Sequence, residues 1–465
     1  VDAGHGTAPP HFKLTLLGMR HFPLPRPRIS LLLILLLVAV AHGALLSRRI
    51  QLRLGQGHPP AHWRHSSARN VFASAVPNDM QTEAIKSEDC AVLVLASAGT
   101  GKTRVLRTRM AYLLLKRQVP SERILAVTFS QHAAQQLQAR VGAVAGSAVE
   151  GAWLGTFHSL CGRMLREHHE LLSLPPDFSV VSESKQLEIL REVLVAHRST
   201  LQRRRGVQPL ITGKLVAETM SVILRWKERG LTAEQLSAEG SRSTSHAEEF
   251  ARAVYGAYQR TLFRRGFLDF SDMALGATQL LREHPQVLAK YRAQFDHVLV
   301  DELQDTSAVQ YEWLKLICRP HSDSCGACID DSIDAAATFA ASPSTRFAAP
   351  RAPLWSAAAR AHGACVFCAA DDDQSIYGWR GADRANVLRF LSDFANARVI
   401  RMSKSYRCSP HVLGVAQAVL SPAPSLFAKL SYSTKREADS PRVLLNAFWD
   451  SAQEAEWLAR QMLLP

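Results

Sequence analysis

What is scarce in this chain bounds it before any motif is read. Between residues 3 and 78 there is no Asp or Glu, against nine Lys or Arg. With Asp2 included, residues 1–78 carry +8 of the total +14, leaving +6 for the other 387 residues. The basic balance therefore belongs largely to the N-terminal stretch and is weak support for nucleic-acid binding. Cysteine is also sparse: eight residues in 465 do not make a disulfide scaffold. Two C-x-x-C pairs, Cys325 with Cys328 and Cys365 with Cys368, raise the question of zinc. Thirty-six residues separate them and Cys368 falls in an apolar run, so they read as a chance pairing. Long apolar stretches are missing apart from residues 29–41, which Ser30 interrupts and which are short for a membrane span. No stable membrane association is expected, and there is no internal repeat.

The leader has its own pattern. Residues 19–28 (Met-Arg-His-Phe-Pro-Leu-Pro-Arg-Pro-Arg) are basic, the apolar run follows, and small residues come next, as in a secretory signal. Residues 47–75 contain Arg and Ser and no acid, as transit peptides do. In tandem they resemble the bipartite leaders of proteins sent to complex plastids. Residues 1–76 therefore read as a targeting segment or as mis-joined sequence. An organelle, plastid or mitochondrion, is expected if the leader is real, and the nucleus or cytoplasm otherwise.

From residue 77 onward, apolar runs alternate with helical patterns, which predicts a parallel α/β sheet. Buried strands are predicted at 91–95, 124–128, 297–300 and 366–370. Residues 166–262 change character, being helical, charged and without strand runs, and predict an inserted helical subdomain. The triplet Arg203-Arg204-Arg205 within it reads as a solvated loop. Residues 319–365 are rich in Ala, Ser and Pro and separate a pair of strands that should be neighbours. Loops of that length are uncommon inside compact domains, so the stretch reads as a surface loop or as translated intron sequence.

Two segments carry nucleotide chemistry. Residues 96–103 read Ala-Ser-Ala-Gly-Thr-Gly-Lys-Thr, after a strand and before a helix predicted to run through Leu115. That is the context of a P-loop, whose backbone N–H groups hold phosphates at a helix N-terminus. Ala96, Ser97, Ala98, Gly99, Thr100 and Gly101 form the loop. Lys102 would reach the β/γ-phosphates of ATP, and Thr103 would ligate Mg²⁺. About two hundred residues on, Asp301 and Glu302 follow an apolar run. Asp301 suits Mg²⁺, and Glu302 suits the base that activates an attacking water.

Residues 371–382 (Asp-Asp-Asp-Gln-Ser-Ile-Tyr-Gly-Trp-Arg-Gly-Ala) are the most informative stretch. They follow a predicted strand, where α/β sheets bind ligands. They offer a carboxylate cluster, an amide able to sense a phosphate (Gln374), and a Tyr377/Trp379/Arg380 group suited to stacking on bases.

This segment closely resembles motif III of the UvrD/Rep/PcrA-like superfamily-1 DNA helicases, and further segments follow in that family's order. Residues 78–81 resemble the Q motif, whose Gln81 would read adenine. Residues 125–134 resemble motif Ia, which implies that Thr128 and Ser130 contact the phosphodiester and Phe129 stacks a base. Here Gln131 and His132 stand where Asn and Lys are usual. Residues 155–158 resemble motif Ib and add Thr156 and His158 as DNA contacts. Residues 268–272 resemble the acidic helix start after the inserted subdomain. Residues 405–407 resemble motif IV, which implies that Tyr406 stacks on adenine and Arg407 is an arginine finger. Ser405, Leu303 and Ala370 replace the usual Asn, Tyr and Gly.

The resemblance implies a RecA-like P-loop NTPase sheet with an inserted helical subdomain and a truncated second RecA-like domain. Its expected divisions are 77–165 and 263–400 for the first motor domain, 166–262 for the insertion and 401–465 for the start of the second. It also implies ATP and Mg²⁺, single-stranded DNA and single/double-strand junctions as partners, unidentified repair or replication proteins, and 3′→5′ unwinding. A nucleotide- and DNA-binding remnant without unwinding, or a piece of a RecB/AddA-type helicase–nuclease, are the alternatives.

Overall fold

In the computed structural model the described residues are 76–199, 210–238, 245–318, 363–394, 396–421, 426–427, 431–437, 440, 442–443 and 445–463. The leader, the Arg203–205 triplet, Cys325, Cys328 and residues 319–362 lie outside them.

The chain enters through α1 (Asp79–Lys86), β1 (Ala91–Ala96), α2 (Lys102–Leu115), β2 (Ile124–Thr128), α3 (Gln131–Ala145), β3 (Trp153–Thr156) and α4 (Phe157–Glu167). A short β4 (Ser179–Val180) precedes the helices α5 (Glu183–Ala196), α6 (Gly213–Glu228), α7 (Ala233–Ala238) and α8 (His246–Arg264). The sheet is then rejoined through β5 (Phe267–Leu268), α9 (Phe270–Glu283), α10 (Pro285–Gln294), β6 (His297–Val300), α11 (Ala308–Cys318), β7 (Cys365–Ala370), α12 (Asn386–Asp393) and β8 (Arg398–Met402). Beyond it come β9 (Lys404–Ser405), α13 (Pro410–Leu420), β10 (Tyr432–Ser433) and α14 (Ser451–Leu463). No helix among the described residues is long and apolar enough to cross a membrane.

Six strands form one parallel sheet in the order β3-β2-β6-β7-β1-β8. The central strands are buried at every position and, apart from Thr128 and His297, apolar, because both faces are covered. Leu93, Leu95, Leu125, Val127, Val298, Val300, Val366 and Cys368 face α4, α9 and α11. Val92, Val94, Ala126, Leu299 and Phe367 face α1, α2 and α3. Burying such side chains contributes about 1.5–3 kcal/mol each, which fixes register and hence the loops at the strand ends.

All four predicted strands are present. The edges β3 and β8 are additional, for a physical reason: β8 alternates exposed Arg398 and Arg401 with buried Ile400 and Met402, so it has no apolar run. It also runs across the division expected at 400/401. Helices α5, α6, α7 and α8 pack around a separate core that includes Ile189, Val193, Ile223, Trp226, Phe250, Tyr255 and Tyr258. Strand β4, which pairs with β5, falls within residues 166–262, expected to be free of strands. Cys365 and Cys368 lie three residues apart on one strand, so they point to opposite faces and cannot chelate one ion.

Candidate nucleotide site and nucleic-acid interface

Strands β6, β7 and β1 are neighbours, so the loops at their C-terminal ends converge. After β1, Gly99 and Gly101 take left-handed backbone, with φ of +76° and +96°, which only glycine adopts without strain. A Cβ on Gly99 would sit 2.6 Å from Arg407 Cβ and 2.7 Å from Ser405 Oγ. α2 starts immediately at Lys102 with no side-chain cap, leaving its first N–H groups and dipole for an anion. Ala96 ends β1 in the core. The Thr100 hydroxyl donates back to the Ser97 carbonyl at 2.8 Å and tightens the loop.

Residues 405–407 pack onto this loop. Tyr406 N–H donates to the Gly99 carbonyl at 2.9 Å, and Ser405 Oγ donates to the Ala98 carbonyl at 2.9 Å. The Tyr406 hydroxyl accepts from Asn78 Nδ2 at 2.8 Å. Gln81 is buried behind the loop: its Nε2 donates to the Thr100 carbonyl at 2.9 Å, and its Oε1 accepts from Asn78 N–H at 3.2 Å. Both ends of the amide are engaged, which leaves one N–H and one oxygen lone pair for an adenine edge.

The acids come from the two adjacent strands. Asp301 Oδ2 accepts from Thr103 Oγ1 at 3.3 Å. Lys102 Nζ lies 3.2 Å from Asp371 and 3.7 Å from Glu302. Glu302 has φ of +54°, a strained left-handed conformation costing about 1–2 kcal/mol, and its carboxylate accepts from Gln304 Nε2 at 2.7 Å. Gln304 Oε1 accepts in turn from Asp371 N–H at 2.9 Å. Gln374 Nε2 donates to Asp371 Oδ2.

The charges of Asp301, Glu302 and Asp371 all act on the Lys102 ammonium, and that ammonium acts in turn on Asp305. Burial, with the Glu302 charge behind it, pushes Asp301 up to about 7 against the pull of Lys102 and Thr103. Burial and then Glu302 push Asp305 up to about 7 as well, and its Oδ1 is buried without a partner among the described residues. Burial works against the charged form of Lys102, but Asp371, Glu302 and Asp301 outweigh it and raise its pKa. A cluster of carboxylate and hydroxyl oxygens of this kind fits a hard divalent cation beside Thr103 and Asp301.

The other half of the β7 loop faces away from the acids. Tyr377 stacks on Phe129, ring centroids 4.7 Å apart at 29°. Trp379 is 73% exposed, with the Arg380 guanidinium 4.8 Å from its ring centroid. Phe129 is exposed too, at the end of β2. Exposed, clustered aromatics with an Arg above them form a platform suited to stacking bases.

The remaining residues expected on the DNA path surround this platform. Thr128 is buried, and its hydroxyl donates to the Ser130 carbonyl at 3.1 Å. Ser130 caps α3 and Thr156 caps α4, which points two helix N-termini toward the same surface. His158 meets Phe270 edge-on at 5.9 Å.

Sequence reasoning gave no role of their own to four participants: Gln304, Phe270, Asp371, named only within a carboxylate cluster, and Asn78, named only within the Q-motif segment. A glutamine among acids reads as a surface loop, and only the fold brings Gln304 to Asp371. Phe270 left no signal: at the first position of α9 it lies in helical phase with the buried Met273, Ala274, Ala277 and Leu281, yet it is exposed.

Fold and site together define a P-loop α/β sheet that pairs a phosphate cradle with an aromatic surface. The family model of the UvrD/REP helicase N-terminal domain matches residues 77–332 and 352–395, and the chain belongs to this family. It is similar to DNA helicase II of Escherichia coli strain K12, 33% identical over 343 residues, covering 74% of this chain and 40% of that protein. It is similar to the ATP-dependent DNA helicase PcrA of Staphylococcus epidermidis, 30% identical, with the same two coverages of 74% and 40%. It is also similar to a probable DNA helicase II homolog of Rickettsia felis, 29% identical over 388 residues, covering 83% of this chain and 50% of that protein. The chain thus spans two-fifths to one half of the length of these relatives.

Proposed function

We propose that this chain is the nucleotide-binding portion of an ATP-dependent DNA helicase that moves 3′→5′ along single-stranded DNA in repair, replication or recombination. The observation that carries the reading is the reach of one loop. Asp371, at its start, pairs with Lys102, while Tyr377, six positions on, stacks on Phe129. A single β7 loop therefore touches both the phosphate cradle and the aromatic platform.

On this reading Lys102 holds the β/γ-phosphates of ATP, and Gly99 and Gly101 let the loop backbone approach them. Thr103 and Asp301 would hold Mg²⁺, which supplies charge neutralisation at the phosphates. Glu302 orients the attacking water and accepts its proton, and Gln304 fixes the carboxylate for that task. Tyr406 lies beside the loop for the adenine, and Arg407 approaches the phosphates from the segment after β8. Phe129, Tyr377, Trp379 and His158 contact bases through their rings, with Thr128, Ser130, Thr156 and Arg380 toward the backbone. Stacking tolerates any sequence, as movement along a strand requires. Single/double-strand junctions are the expected substrate, and repair or replication proteins the expected partners.

The test is ATP hydrolysis by this chain with and without single-stranded DNA, together with displacement of a strand from a 3′-tailed duplex. Hydrolysis raised by DNA and strand displacement from the 3′ tail support the reading. DNA-stimulated hydrolysis without displacement reduces it to a DNA-dependent ATPase. Absence of nucleotide binding contradicts it.

A further inference from the structure

The last turn of α6, on the helical lobe, reaches the platform. Lys227 there has no solvent exposure and lies 2.6 Å from Asp269 and 2.7 Å from Asp272, while Tyr258 donates to the same Asp269 at 3.2 Å. This cluster anchors α6 to the start of α9. The next residue, Glu228, points toward three segments at once. Its Oε1 accepts from Ser271 Oγ at 2.6 Å. Its Cβ and Cγ press on Gly381, the end of the 371–382 segment, where an added Cβ would lie 2.7 and 2.9 Å away. Its charge also acts on His158: burial lowers the His158 pKa, Glu228 opposes that and Arg380 adds to it.

A carboxylate is out of place on a surface meant for phosphates, so direct DNA contact does not account for Glu228. The geometry points to Glu228 as a positioning residue that holds the 378–382 turn against α9 and so makes the helical lobe a support of the aromatic platform. The turn itself is held by its own backbone. Arg380 N–H donates to the Tyr377 carbonyl at 2.8 Å, Gly381 N–H to Gly378 at 3.0 Å and Ala382 N–H to Tyr377 at 3.2 Å. Gly381 has φ of +92° and so closes the turn in a conformation open to glycine. With Glu228 against it, the turn cannot swing outward, and Trp379 and Arg380 keep their relation to Tyr377 and Phe129. The inference rests on the reading of that surface as a DNA platform.

The experiment uses the full chain, a labelled oligothymidylate followed by fluorescence anisotropy, and hydrogen exchange at residues 378–382. Glu228→Ala is expected to weaken oligothymidylate binding roughly five- to tenfold, the loss of one charge-assisted hydrogen bond and its packing, and to speed exchange in the turn. Ser271→Ala removes the same hydrogen bond from the other side and is expected to act in the same direction. Glu228→Gln keeps an acceptor for Ser271 and is expected to keep the turn protected. Unchanged exchange in the turn for both Glu228→Ala and Ser271→Ala overturns the inference. So does tighter DNA binding with unchanged exchange, which would make Glu228 an electrostatic brake. If the wild-type chain binds no oligothymidylate, the functional reading fails, and the exchange result alone decides whether Glu228 holds the turn.

Discussion

Lys102, the first residue of α2, and Asp371, the first residue after β7, form a buried ion pair at 3.2 Å. On the proposed reading, an arriving phosphate would compete for the same ammonium. Asp371 also accepts from Gln374, so loosening the pair changes what Gln374 is bound to, three residues before the Tyr377 ring. A short chain of contacts thus runs from the cradle to the platform along one loop.

Replacing Lys102 tests the cradle. Lys102→Ala removes the proposed phosphate ligand and the ammonium on which Asp371, Glu302 and Asp301 act. ATP hydrolysis is expected to fall roughly 10²-fold or more, with nucleotide affinity measured by titration falling alongside it. Hydrolysis within a few-fold of wild type would remove Lys102 from the site.

Gln304 bridges Glu302 and Asp371, at 2.7 and 2.9 Å. Gln304→Ala frees the Glu302 carboxylate and unties β6 from β7 at the site. Turnover is expected to drop about ten- to a hundredfold, with ATP affinity changed by about threefold or less. Equal losses in both quantities would mean that Gln304 only holds the fold.

On the platform, Trp379→Ala and Phe129→Ala should each weaken single-stranded DNA binding by about 1–3 kcal/mol, whatever the base sequence. Arg380→Ala should also lower the salt dependence of binding, by about one unit of slope if the guanidinium meets a phosphate. Anisotropy titrations across salt concentrations check both.

Lys227 lies between two buried carboxylates. Burial opposes its charge, but Asp269 and Asp272 outweigh burial and raise its pKa above 10.5. Burial and Asp269 push Asp272 up to about 6, with Lys227 pulling back. With two carboxylates to one ammonium these directions agree: the lysine stays charged and the second acid bears the cost. The stability that Lys227 contributes is present below its unfolded pKa of 10.5 and is lost as pH rises through the higher folded value. Lys227→Met leaves both acids unpaired and should destabilise the fold by about 3–5 kcal/mol near neutrality. The folded pKa of Asp272 then rises further above 3.8, so the deficit should shrink as pH falls toward about 4. Denaturant melts at several pH values measure this.

The central strands were legible because β1, β2, β6 and β7 are continuous apolar runs broken only by the terminal Thr128 and His297. The edges were not, since an edge strand such as β8 mixes Arg398 and Arg401 with its buried residues. The cradle was legible for a related reason: Gly99, Gly101, Lys102 and Thr103 are contiguous, and their chemistry depends on local backbone. Gln304 and Asp371 were harder, because they meet only when β6 and β7 pair across 67 positions. The commitment of Gln81 to the loop was hidden in the same way, since it depends on α1 packing behind residues 97–101. Glu228 could not be read at all: its partners Ser271, His158 and Gly381 come from three separate stretches of the chain.

The central claim is that residues 371–382 couple the nucleotide to the strand, and Gln374 is the residue placed to do so. The most direct measurement is the stimulation of ATP hydrolysis by single-stranded DNA in Gln374→Ala beside wild type, with ATP and DNA affinities measured separately. The account predicts near-normal binding of both ligands and loss of the stimulation. Stimulation as large as that of wild type would contradict it.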